Sequence, residues 1–134
     1  MGPDFSGLNG NWIAYCWAPV AGFSQFGSYT GNGSADGPFV YLGFRPKFVM
    51  VKCSSSSQGG AADWIILDTS RDTYNISTKL LYADLSNAEE TYSITDILSN
   101  GFKQRNTYPS LNSNGATYIY AAFAENPFKY ANAR

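Results

Sequence analysis

Apolar and aromatic residues arrive in short runs, and turn formers separate the runs. The runs are "WIAYCWA" (12–18), "FSQFGSYT" (23–30), "PFVYLGF" (38–44), "PKFVMVKC" (46–53), "DWIILD" (63–68), "SITDILSNGFKQR" (93–105) and "ATYIYAAFAE" (116–125). Several alternate polar and apolar residues; others are β-branched and aromatic throughout. Both patterns belong to strands. Asn100-Gly101 splits the sixth run into a hairpin, because both residues tolerate positive φ. The connectors "GNGSADGP" (31–38), "SSSSQGGAAD" (54–63) and "NSNGA" (112–116) are rich in Gly, Ser and Asn. No stretch keeps a 3.6-residue period. Ser86 and Glu89 have capping-box spacing, so "SNAEETY" is expected to form one short helical turn. The pattern predicts an all-β fold, an antiparallel β-sandwich of lectin or jelly-roll type with little or no helix.

The expected core comprises Trp12, Trp17, Trp64, Phe48, Val49, Val51, Ile65, Leu67, Ile97, Tyr118, Tyr120 and Phe123. Residues 12–18 and 117–124 share a pattern of small residues among aromatics. They are expected to be neighbours, paired antiparallel or facing across the sandwich. Residues 1–11 read as an N-terminal extension or the remnant of an upstream domain, and residues 12–134 as one sandwich domain. The first ten residues lack the basic start and apolar stretch of a signal peptide.

Composition narrows the function. The 134 residues are one domain's worth, with 44% hydrophobic, 16% aromatic and only 14% charged residues. A net charge of −1 gives no electrostatic footprint for nucleic acid. No run is long enough to span a membrane as a helix, so membrane insertion is not expected. The chain has no histidine, which excludes Ser-His-Asp and Cys-His catalysis. Cys16 and Cys53 lie in apolar runs and are expected to be buried, reduced thiols.

From Tyr15 onward, "YCWAPVAGFSQFGSYTGNGSADGPFVYLGFRPKFVMVK" resembles a C-terminal domain of unknown function in bacteriophage tail and tail-fibre proteins. The likeness continues through "DTSRDTYN" (68–75), "DILSNGFKQRN" (96–106) and "ATYIYAAFAENPFK" (116–129). It implies a virion component of the phage tail, assembled in the host cytoplasm as a homotrimer with other chains of the fibre. It supplies no catalytic residues, and no enzyme activity or cofactor is expected. In such proteins the domain often follows a lectin-like module whose last strand also reads like "AYCWAP". Residues 12–19 are therefore either a seam from that neighbour or a strand closing this domain.

The candidate binding residues are Tyr74, Tyr82, Tyr92 and Tyr108, with Asn75 and Asn112. A tyrosine ring can lie on the CH face of a sugar while its hydroxyl hydrogen-bonds, and asparagine suits sugar hydroxyls. The competing reading is that these rings cover a core edge or a subunit interface. The turn "GNGSADG" and loop 54–62 are further candidates, since loops vary without disturbing a sheet. Asp68 and Asp72, with Arg71 between them, read as a loop salt bridge or turn caps, with a calcium site as the alternative. Arg45 is expected to close a turn and pair with a carboxylate, or else to stand as a surface cation for an acidic sugar. Three functions remain: a receptor-contacting domain binding a host-surface glycan or protein, a purely structural trimerising or connecting domain, and a glycan-degrading enzyme, the weakest because no repeated β-helical scaffold is present.

Overall fold

A computed structural model describes residues 14–55 and 63–125. Eight strands form one antiparallel sheet: β1 (Ser24–Thr30), β2 (Phe39–Tyr41), β3 (Pro46–Cys53), β4 (Trp64–Asp68), β5 (Ser77–Tyr82), β6 (Glu90–Leu98), β7 (Gly101–Gln104) and β8 (Thr117–Ala124). Their order across the sheet is β1-β8-β3-β4-β5-β6-β7-β2. The fold is all-β, as the pattern predicts. The two layers of the expected sandwich are halves of one sheet that curls almost into a barrel. Tyr29 of β1 and Phe102 of β7, far apart in strand order, meet edge to face at 6.0 Å. A one-turn helix, α1 (Pro109–Asn112), is the only helix among the described residues. It is far too short to cross a membrane.

Alternation decides the core. Val49, Val51 and Cys53 of β3, Ile65 and Leu67 of β4, and Tyr118, Tyr120 and Ala122 of β8 all point inward and are buried. Their register is direct: Val51 lies opposite both Ile65 and Tyr120, and Val49 opposite Leu67 and Ala122. Leu80, Ile94, Ile97, Phe102 and Leu111 fill the other half. Each such side chain contributes about 1.5–3 kcal/mol by leaving water. Seven of the expected core residues (Val49, Val51, Ile65, Leu67, Ile97, Tyr118 and Tyr120) are inside. Trp64, Phe48 and Phe123 occupy the opposite parity and are only half-buried on the outer face. Trp12 lies outside the described residues.

The first run departs most from expectation. Residues 14–19 form no strand, and Trp17 is 61% exposed. The partners of β8 are β1 and β3, which leaves it no free edge for another strand. Residues 15 and 17 instead lay their rings on the outer face of the sheet. Cys16 on this segment is exposed, not buried, while Cys53 is buried; both are free thiols.

Two local readings are also corrected. "SNAEETY" contains no helical turn: residues 86–89 are irregular and Glu90 opens β6. Strand pairing with β5 claims the backbone groups that a helix would have used. The hairpin at Asn100-Gly101 is present, but Ser99 and Asn100 form its loop, and neither Asn100 nor Gly101 has a positive φ. Gly101 already belongs to β7. A Cβ there would collide with the Val40 carbonyl of β2, so close strand approach requires the glycine, not turn geometry. The strand β5 was hidden by its mixed composition, "STKLLY".

Candidate functional site

The fold separates the six candidate residues into groups with different work. Asn112 ends α1 and is completely buried. Its Oδ1 accepts from the Asn32 backbone N–H at 2.9 Å, and its Nδ2 donates to the carbonyls of Ser34 and Asn106, each at 2.8 Å. It ties the turn "GNGSADG" to α1 and closes one end of the curled sheet. Nearby, the Tyr118 hydroxyl donates to the Pro109 carbonyl at 2.6 Å, and the Tyr29 hydroxyl donates to the Leu111 carbonyl at 2.7 Å. Asn75 is equally structural: its side chain accepts from Ile97 N–H and donates to Ile97 C=O, bracketing β6 as a strand partner would. Asn112 is therefore not available to a sugar, which corrects that expectation, whereas Asn75 is exposed and keeps one amide N–H beyond these two bonds. Buried as it is, the Asn112 amide spends its oxygen and its nitrogen on these internal bonds.

Tyr74 is 83% exposed and, among the described residues, makes no ring contact or hydrogen bond with the other tyrosines. The other three converge. Tyr92 and Tyr108 stack with ring centroids 5.8 Å apart and planes 19° from parallel. The Tyr108 and Tyr82 hydroxyls are 3.0 Å apart, and Tyr82 donates to Glu90 Oε2 at 2.9 Å. Since the Tyr82 proton points at the carboxylate, Tyr108 is the donor to Tyr82. Burial foremost, and then the bonds to Tyr108 and Glu90, push the Tyr82 hydroxyl far above its ordinary value of 10.0, so it stays a donor. Tyr82 and Tyr108 pack partly against the core, whereas Tyr92 is half exposed at 52%. The result is a ring platform beside a relay that ends on a carboxylate. Glu90 was missed by sequence reasoning; it carries no local signal and reaches the tyrosines only because β6 pairs with β5.

The charged loop behaves as a brace. Arg71 pairs with Asp68 at 2.5 Å and with Glu89 at 2.9 Å. Asp72 accepts from the Thr78 N–H, from the Thr78 hydroxyl at 2.9 Å and from Lys79 N–H at 3.0 Å. These contacts match the salt-bridge and turn-cap reading. No group of potential metal ligands occurs among the described residues. Arg45 is exposed and forms no ion pair among them, contrary to the expected carboxylate pairing, which leaves the alternative of a surface cation.

A concavity away from the tyrosine cluster was not anticipated. On the outer face, Tyr15, Trp17, Phe26, Met50, Trp64, Ile119 and Asp84 contribute to a groove of about 620 Å³. Trp17 stacks on Tyr15 at 6.0 Å and on Phe26 at 6.2 Å, so segment 14–19 forms one wall. The available signal was the run "PKFVMVKC" with its neighbours: apolar residues at both parities imply a second apolar face. Of the candidate loop 54–62, residues 56–62 lie outside the described residues.

The family described as "Domain of unknown function (DUF7483)" matches residues 2–127. The chain belongs to this family. No curated protein and no solved structure matches the chain.

Proposed function

We propose that this domain is a non-enzymatic virion component, the C-terminal domain of a phage tail-fibre protein, and that it contacts a host-surface receptor such as a glycan. The setting rests on the resemblance of residues 12–134 to such domains. The observation that carries the binding reading is the convergence of Tyr82, Tyr92, Tyr108 and Glu90 at the surface. The exposed Tyr92 ring offers a stacking face to a pyranose, and the Glu90 carboxylate offers an acceptor for hydroxyls. One stacked ring contributes on the order of 1 kcal/mol, by analogy with aromatic pairs. Multiple copies on one virion raise weak contacts by roughly 10²- to 10⁴-fold.

The test is a glycan array and whole-cell adsorption assay with the wild-type chain and Tyr92→Ala. Tyr92 lies outside the core, so the variant should fold normally and lose binding by roughly fivefold. Unchanged adsorption by a folded Tyr92→Ala chain that also carries Glu90→Gln refutes the reading. A second reading, a trimerising or connecting domain without receptor contact, is favoured by the exposed apolar groups of the outer face, including Trp17 and Ile119. A trimer in light scattering that dissociates on Ile119→Asp, with no glycan bound, supports that alternative.

A further inference from the structure

The outer-face groove and the tyrosine cluster share no lining residue, and their chemistries differ. The groove walls are aromatic and aliphatic: Tyr15, Trp17, Phe26, Trp64, Met50 and Ile119. Among the described residues that line it, Asp84 carries the one formal charge. Asp84 Oδ1 accepts from the Trp64 backbone N–H at 3.0 Å, and the carboxylate forms no ion pair among the described residues. The described lining holds no cationic side chain, so it offers little to an anion, and the carboxylate repels one. A polyhydroxylated sugar would leave most of its hydroxyls without partners. A neutral apolar ligand makes no use of the charge. A cation whose surface is methyl groups uses both features: the ring faces attract it, it has no N–H needing an acceptor, and the carboxylate balances it. The Trp64 ring already attracts a cation, with Lys52 Nζ 5.1 Å from its centroid.

We propose that the groove formed by Tyr15, Trp17, Trp64 and Asp84 binds a quaternary ammonium group. The group occupies the aromatic end near Asp84, and the remainder of the 620 Å³ takes the chain that bears it. Choline-decorated glycan, a choline lipid headgroup and trimethyl-lysine peptide all present this chemistry.

The experiment is a titration of the whole chain followed by NMR, with choline as the probe. Ring faces should move the choline methyl resonance upfield, with a Kd on the order of 1 mM. The neutral isostere 3,3-dimethylbutan-1-ol should bind about tenfold more weakly. Asp84→Asn keeps the oxygen that accepts from Trp64 and removes the charge; Trp17→Ala removes an exposed wall. Each should weaken choline binding on the order of tenfold while leaving the melting temperature near wild type. Lys52→Met should strengthen binding by lifting a like charge beside Trp64. Parallel arms with phosphocholine, phosphatidylcholine vesicles and a trimethyl-lysine peptide identify the source of the group. Equal binding of the isostere, unchanged affinity in Asp84→Asn, or no shift with choline overturns the proposal. Because Tyr92→Ala leaves this groove intact, failure here is distinguishable from failure of the glycan reading.

Discussion

The strands β1, β8, β3 and β4 have two apolar faces with opposite fates. On the inner face, Val51, Ile65, Tyr118 and Ala122 are fully buried and meet the other half of the sheet. On the outer face, Phe26, Phe48, Phe123, Met50, Trp64 and Ile119 cover each other only in part. Phe123 sits at the centre of that outer cluster, 5.6 Å from Phe26 and 6.0 Å from both Phe23 and Phe48. The same residue types thus form a core on one side and a surface on the other. What differs is the second layer: the inner face has a whole half-sheet against it, whereas among the described residues the outer face has only the rings of Tyr15, Trp17 and Phe23. An apolar surface left partly open marks a place to test for binding.

If that contrast is right, truncation on the two faces should separate cleanly in denaturant unfolding. Leu67→Ala, on the inner face, should cost about 2–5 kcal/mol, because rigid neighbours cannot fill the cavity. A cost below about 1 kcal/mol would mean that the inner face is not the tightly packed one.

Asn112→Ala probes the closed end of the inner layer. It leaves the Asn32 N–H and the Ser34 and Asn106 carbonyls without their partner. The expected loss is about 2–3 kcal/mol by thermal or chemical unfolding, with no recovery in Asn112→Leu. Recovery in the leucine variant would show that shape, not hydrogen bonding, matters there.

A pH titration tests the brace beside the outer face. Burial, the largest single influence, pushes Asp72 upward, but the hydrogen bonds from Thr78 and Lys79 together outweigh it and hold the carboxyl below its ordinary 3.8. A depressed folded pKa contributes stability above the unfolded value and loses it as pH falls through the folded one. Stability should therefore be level above about pH 5 and decline as acid protonates Asp72. Asp72→Asn should flatten part of this acid limb and cost no more than about 1 kcal/mol at neutral pH, since solvent screens the site. An acid limb unchanged by the substitution would remove Asp72 from the brace.

The smallest effect belongs to the outer face itself. Ile119 is 40% exposed, and Ile119→Ser should change stability by less than about 1 kcal/mol. A loss as large as that of Leu67→Ala would erase the distinction between the faces.

Much of the fold was legible because its signals are local. Six of the strand-like runs contain strands, and "PKFVMVKC" is β3 residue for residue. Alternation and turn formers act within a few residues of themselves, so they survive without tertiary context. The tyrosine cluster was half legible: the residue types marked Tyr82, Tyr92 and Tyr108, but not that they would meet at Glu90 while Tyr74 stood apart. The same polar character singled out Asn75 and Asn112; the fold buries Asn112 as an internal bracket, while Asn75 holds β6 from an exposed position.

By itself, then, the sequence determined the class of structure, the positions of every strand but β5 and the shortage of helix, since these follow from side-chain period and backbone preference. Only the tertiary structure decided which parity of each strand faces inward, because both parities of β3, β4 and β8 hold apolar residues. It also decided that "YCWAP" lies on the sheet and does not join it. A strand needs an unpaired edge, and β1 and β3 already occupy both edges of β8. Edge availability depends on the whole strand order, which no short stretch of sequence contains.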